Sequence, residues 1–261
     1  MPVVTPRQLP DLLLSRGQHH FTAAEAAALL DSTDEAVRKG LERLTAARQI
    51  ISPSRGFYVV VPPEFRSWAT VPGSHLIDAM MHQLDRVYYV ALLSAAEVHG
   101  AAHHAPQVFQ VMVDRPLQDR DLGRTRLRFF TGLHVATAPV EQHNTPTGTM
   151  RVATREPTAL DLVDHVAAAG GLDNVATVLA ELDDLDAGTL ADLARHRDRA
   201  VARRLGWLLE RVEADLDLDP LHRVAQADQG SPSELRAGNA RRGSIDRRWN
   251  VRVNADVQPD V

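Results

Sequence analysis

Residues 21–61 read FTAAEAAALLDSTDEAVRKGLERLTAARQIISPSRGFYVVV, and this stretch decides the fold. Thr22 and Glu25 stand three apart ahead of Ala26, Ala27, Leu29 and Leu30, the spacing of a capping box, in which each side chain satisfies a backbone N–H left open at a helix start. Ser32 and Glu35 repeat that spacing at once, and Val37, Leu41, Leu44 and Arg48 then fall on one stripe of a second helix. The turn between the helices is therefore expected to be a residue or two long. Projected around Val37, residues Arg38, Lys39, Glu42 and Arg43 lie off the apolar stripe, so the face turned from the core carries long hydrogen-bonding side chains, three of them cationic. Ile50 and Ile51 start a strand, Pro53, Ser54, Arg55 and Gly56 make a turn, and Phe57 to Val61 is an unbroken β-forming run. Helix, short turn, helix and two-stranded wing add up to a winged helix-turn-helix.

That module places its second helix against a major groove and its wing against a phosphate or a minor groove. Thr33 at the helix start, Arg38, Lys39 and Arg43 along it, and Arg55 at the wing tip are the expected DNA-contacting residues. An arginine binds guanine bidentately, and each such pair contributes ~1 to 3 kcal/mol of discrimination. Glu35 and Glu42 share the same face, so the competing use of these cations is in solvated ion pairs one helical turn apart. A packed helical module used only as a protein contact is the other reading of the pattern. Arg48, near the apolar stripe, is expected to run along the core.

The chain of 261 residues is long enough for two domains and has an apolar fraction of 44%. No run is long enough to span a bilayer and residues 1–14 do not read as a signal peptide, so a cytoplasmic address is expected. Cysteine is absent, which excludes disulfides, thiolate nucleophiles and cysteine-ligated zinc. A net charge of -5 argues against a histone-like coat of positive charge, yet leaves room for a sequence-specific binder whose cations are local. Residues 1–70 hold eight Arg and Lys against seven Asp and Glu, whereas residues 171–220 hold six against twelve. The acidity belongs to the second half.

The remainder reads as a larger α+β domain, so the fold class is α+β with the winged module first. Residues 1–62 form the DNA-binding domain, 63–73 a proline-bearing linker tied down by Phe65 and Trp68, 74–223 the second domain, and 224–261 a partly mobile tail docking at Trp249 to Asn254. Thr5 to Leu14 forms a first helix with Leu9, Leu12 and Leu13 inward, and His19 and His20 read as turn residues. Ser74 is expected to cap a helix carrying Leu76, Ile77, Met80 and Leu84. Tyr88 to Val90 is a short strand, followed by a helix ending at Gly100. Residues 107–113, 126–130 and 148–153 are the expected strands, and residues 156–168, 172–182 and 190–212 the expected helices.

Several segments together resemble a known family. The winged helix is followed by Tyr88-Tyr89-Val90-Ala91-Leu92-Leu93-Ser94-Ala95-Ala96-Glu97-Val98-His99-Gly100, then Pro157-Thr158-Ala159-Leu160-Asp161-Leu162-Val163, then Arg203-Arg204-Leu205-Gly206-Trp207-Leu208-Leu209-Glu210, and last Arg247-Arg248-Trp249-Asn250 leading to Asn254. In that order they resemble the AbiEi-type antitoxins of bacterial type IV toxin-antitoxin systems over nearly the whole chain. The resemblance implies a two-part protein whose winged helix represses its own operon by binding promoter inverted repeats in double-stranded DNA; the chain itself reads as non-enzymatic, engaging two half-sites through two copies. It also implies a second domain that counteracts a nucleotidyltransferase toxin.

Arg203, Arg204 and Trp207 on the last long helix are candidates for an exposed surface facing the toxin, RNA or a nucleotide, with ion pairing inside the domain as the plainer reading. His99, His103 and His104 have partial metal-ligand spacing, but Gly100 interrupts the helix and no third ligand stands at a familiar distance, so no metal and no cofactor is expected. Asp183, Asp184 and Asp186 read as a solvated connection. Catalytic motifs are absent. Two other functions fit the pattern: a ligand-responsive winged-helix regulator without a toxin partner, and an enzyme that modifies the toxin or a nucleotide.

Overall fold

The computed structural model describes residues 5–101, 107–227, 230–238 and 242–260. It is α+β, and the chain divides into two compact units: residues up to Tyr89 with 107–135 and 142–151, and residues 90–106, 136–141 and 152 onward. Residues 63–73, expected as a linker, belong to the first unit.

The first unit begins with α1 (Leu9–Ser15), β1 (His20–Thr22), α2 (Ala23–Leu30), α3 (Asp34–Ala46), β2 (Ile50–Ser54) and β3 (Phe57–Val60). Its core joins Leu9, Leu13, Phe21, Ala26, Leu30, Val37, Leu41, Leu44, Ile50 and Val60. The expected capping box starts α2: the Thr22 N–H donates to Glu25 Oε2 at 2.6 Å and the Glu25 N–H to Thr22 Oγ1 at 3.2 Å. The second box does not form. Thr33, not Ser32, caps α3 by accepting from the Ala36 N–H at 3.4 Å, and Glu35 turns to Lys39 instead. Asp31 carries the chain out of α2 with φ 46°, so residues 31–33 make a turn one residue longer than expected.

Gly40 occupies the middle of α3 because a Cβ there would stand 2.9 Å from Pro6 Cβ; close approach outweighs the ~1 kcal/mol that glycine costs a helix. The strands form an antiparallel sheet in the order β1-β3-β2. His20 pairs with Val59, which corrects the reading of His20 as a turn residue; His19 stays in the connection ahead of β1. Pro53 sits at the bulge between Ile51 and Ser54, where the ladder needs no N–H from it, and Gly56 turns the wing with φ +74°.

Further along, α4 (Ile77–Gln83) has no side-chain cap, so Ser74 does not start it. Strands β4 (Tyr88–Val90), β5 (Phe109–Val113), β6 (Arg120–Leu122), β7 (Thr125–Thr131), β8 (Val140–Thr145) and β9 (Gly148–Ala153) form a six-stranded sheet in the order β6-β7-β5-β4-β9-β8. Phe109 pairs with Leu127 in parallel register. Phe65 packs edge-on against His75 with centroids 5.4 Å apart and tilts against Trp68 at 5.7 Å, and the Arg124 guanidinium lies 5.7 Å over the Trp68 ring. These contacts tie down residues 63–75.

The second unit is mainly helical: α5 (Leu92–Val98), α6 (Arg155–Asp164), α7 (Leu172–Glu181), α8 (Ala187–Ala194), α9 (Arg199–Arg211) and α10 (Asp219–Ala225), with a small sheet β10 (Ser233–Glu234), β11 (Ile245–Asp246) and β12 (Val251–Arg252) ordered β10-β12-β11. Strand β10 falls in a stretch expected to lack fixed structure; residues 228, 229 and 239–241 of that stretch lie outside the described residues. Helix α6 buries every residue from Glu156 to Val163, and its Asp161, fully buried, pairs with Arg197 at 2.7 Å. Helix α9 buries Val201, Ala202, Leu205, Leu208 and Leu209. Trp249 is fully buried against Gly206 and donates its Nε1–H to Glu210 Oε2 at 2.6 Å.

Gly206 thus makes room for the Trp249 ring. Gly206→Ala is expected to destabilise the protein by about 1 to 3 kcal/mol through overpacking, and Trp249→Ala by about 3 to 5 kcal/mol. Urea unfolding of both and of the double variant checks this: adding Gly206→Ala to Trp249→Ala should cost well below its cost alone, because the clash has gone.

Candidate nucleic-acid interface

Helix α3 is held by Val37, Gly40, Leu41 and Leu44, all buried, and the helical period then sets Arg38, Lys39, Glu42 and Arg43 on the exposed side. Thr33 sits exposed at its N-cap. Two of the cations are paired: Arg38 Nη1 meets Glu42 Oε1 at 2.7 Å and Lys39 Nζ meets Glu35 Oε1 at 2.7 Å, with 63% and 55% of the cationic side chains exposed. Exposed pairs of this kind contribute only ~0.3 to 0.5 kcal/mol, so a phosphate or a base edge competes with the carboxylate easily. Arg43 is exposed and has no ion pair among the described residues. Arg55 is exposed on the turn between β2 and β3. Thr33, Arg38, Lys39 and Arg43 therefore share one helix and its cap, and Arg55 stands on the wing. Arg48 is not on the core stripe: it follows α3 with φ 57° and is exposed, a further cation that the stripe concealed.

The second set of candidates is arranged differently. Arg203 is buried and donates from Nε to Ala225 O at 3.1 Å and from Nη1 to Ser231 O at 3.0 Å and Ser233 Oγ at 3.3 Å. Its expected place on an open surface is corrected, because the returning segment 231–234 covers that side of α9. Arg204 is half-buried, donates to Glu234 O at 2.7 Å and is made somewhat more acidic than usual by burial. Trp207 is half-buried. His99 Nε2 lies 2.7 Å from Ala153 O; His103 and His104 are outside the described residues, and no group of three metal ligands occurs among the described ones.

A cavity of about 350 Å³ in the first unit is lined by polar residues that include His20, Thr22, Glu25, His75, Asp78, His82 and Thr149. Sequence reasoning missed it, because its walls come from segments far apart in the chain. Burial holds the His20 and His75 imidazoles below their usual value, against the opposing pull of Glu25 and Asp78 on His20 and of Glu64 on His75; His19 pushes both further down and His82 does so for His20. Tyr88 Oη donates to Asp78 Oδ1 at 2.8 Å and accepts the Arg151 N–H at 3.2 Å, and burial drives its phenol pKa up.

Residues 89–211 match the family model of the AbiEi antitoxin C-terminal domain. The AbiEi resemblance holds over that segment and supports an antitoxin role in a toxin-antitoxin pair. AbiEi antitoxins are generally non-enzymatic. Among solved structures, the RV2827C protein from Mycobacterium tuberculosis is similar, with a TM-score of 0.69 at 12% identity over 94% of this chain and 89% of that one. A likeness at that identity speaks for the fold. No curated protein matches the chain significantly. No helix among the described residues is long and apolar enough to cross a membrane.

The histidine shifts have a definite pH consequence. The folded protein resists protonating His20 and His75, so the unfolded chain takes up more protons and stability is lost as pH falls through the ordinary value of 6.5 toward the lower folded values. Above 6.5 these two groups leave stability unchanged. Thermal unfolding should show Tm falling between about pH 7 and pH 5, with a shallower fall in a His20→Gln, His75→Gln variant.

Proposed function

We propose that this chain is an AbiEi-type antitoxin that represses its own operon by binding inverted repeats in the promoter, and that it counteracts a nucleotidyltransferase toxin. The observation that carries the DNA-binding half is α3 itself, an amphipathic helix packed by one side beneath a wing and exposing Arg38, Lys39 and Arg43 on the other. In this reading α3 enters the major groove, the three cations meet base edges and flanking phosphates, Thr33 contacts the backbone at the helix start, and Arg55 reaches a phosphate from the wing. A second copy occupies the other half-site. The antitoxin half is supported by the family match over 89–211, and the partner is a toxin of the nucleotidyltransferase type.

The α3 substitutions separate the two halves better than a truncation at Ser74, which would cut through the first unit. Arg38→Ala and Arg43→Ala lie on the exposed face and should leave thermal unfolding within the scatter of ordinary surface changes, roughly ±0.5 kcal/mol. Each should weaken binding to the protein's own upstream DNA by about 1 to 3 kcal/mol where it contacts a base, and relax sequence preference there. Arg55→Ala should weaken binding uniformly across sequences and lower the slope of log affinity against log salt by about 1. Fluorescence anisotropy with the upstream duplex over a salt series measures both effects. Affinity unchanged in all three variants would remove α3 and the wing as the contact surface. Rescue of toxin-arrested growth should persist in the same variants.

A further inference from the structure

Arg195, Arg197, Arg199 and Arg223 line a cavity of about 340 Å³ in the second unit, and the remaining lining is Ala194, Val224 and Ala227. Among the described residues, every charged group in its wall is cationic. The cavity is built where α8 ends, where α9 begins and where α10 ends, so three chain segments converge to bring four arginines to its wall.

Among the described residues no carboxylate lines the space, although two of the four arginines hold carboxylates beside it. Asp192 pairs with Arg195; Asp161 takes Arg197 Nη2 at 2.7 Å; Asp198 caps α9 by accepting from the Ala200 N–H at 2.8 Å. Arg197 is 95% buried by side chain, its exposed fraction being 5%, and its Nη1 forms a second ion pair with Asp164 Oδ2 at 3.5 Å.

Guanidinium forks match the oxygens of phosphate, and several together match a chain of phosphates better than one carboxylate. The volume is at the small end of ligand cavities, which run from about 300 to 1,000 Å³. We propose that this cavity binds an oligophosphate, either free or as the phosphate chain of a nucleoside triphosphate. The assignment goes beyond the antitoxin and repressor reading and stands independently of it.

The test is calorimetric titration of the full chain with inorganic tripolyphosphate and, separately, with ATP, at constant ionic strength. Saturable one-to-one binding of at least one of them is expected, weakening roughly tenfold for each arginine removed in Arg199→Ala and Arg223→Ala. Equal affinity for both identifies the phosphate chain as the whole determinant, and tighter ATP binding identifies a nucleotide; either outcome supports the site provided the variants weaken it. Arg197 is left intact because its pairing with Asp161 holds the fold, and a circular dichroism melt confirms that the variants are folded. Absence of saturable binding to either compound, or affinity unchanged in the Arg199→Ala, Arg223→Ala double variant, would overturn the proposal. Binding of an oligoribonucleotide without either small compound would overturn it too, in favour of a nucleic-acid surface.

Discussion

Helix α3 can be a recognition element only because its other face is fixed. Val37, Leu41 and Leu44 are buried in the core with Leu9, Leu13, Phe21 and Leu30, and burial of such side chains contributes ~1.5 to 3 kcal/mol each. That packing sets the rotation of the helix about its axis, since a turn of 100° per residue leaves Arg38, Lys39 and Arg43 no position but the exposed one. The Gly40 contact with Pro6 adds a constraint on approach: the segment ahead of α1 lies so close that a methyl group has no room. The exposed cations contribute little to the fold, which is why the same helix is free to serve a ligand.

The second unit relies on polar groups in its interior to a greater degree. Asp161 and Arg197 are both almost wholly buried, and such a pair adds little net stability because desolvation offsets the attraction. Removing one partner would leave a buried charge, at about 3 to 5 kcal/mol, so the pair fixes how the segment after α8 runs past α6. Arg203 acts in a similar way on the tail, using one guanidinium to hold carbonyls at Ala225 and Ser231. With Trp249 clamped between Gly206 and Glu210, these contacts convert a segment of low apolar content into a docked sheet. An arginine placed on a helix face by sequence pattern alone is thus turned from surface group to core group by chain that returns some thirty residues later.

That last case marks where legibility in the sequence stops. The capping box at Thr22 and Glu25, the wing turn at Gly56, strand β4 and the family likeness over 89–211 rest on local spacing or on ordered segments, and all of these could be read. The sheet edges could not. Strand β8 reads VEQHNT and is half to fully exposed along its length, and β6 is three residues long; edge strands blunt pairing by being short and polar, which removes the alternation that reveals a strand. Strand β1 is hidden similarly, two of its three residues being polar. Helix α10 spans seven residues and opens with Asp-Pro, so it reads as a turn. The arginines around the second-unit cavity are scattered from 195 to 223, and only the path of three helices makes them neighbours.

The charge distribution bears on what kind of DNA binder the proposed reading describes. A chain of net charge -5 is repelled by DNA at long range, but at physiological salt charges more than about 8 Å apart are largely screened. What remains is local, and locally α3 offers three cations of which two already hold a glutamate. A complex formed by so few groups gains little from counterion release, which scales with the number of phosphates neutralised. Non-specific affinity is then low, and base-edge contacts carry a larger share of the total than in a strongly basic protein. Doubling the contacts through a second copy on an inverted repeat raises affinity without raising the attraction to random sequence in proportion. For an autorepressor that acts at one promoter among a genome of competing sites, the ratio of specific to non-specific binding matters more than affinity itself, and a locally cationic helix on an acidic protein favours that ratio.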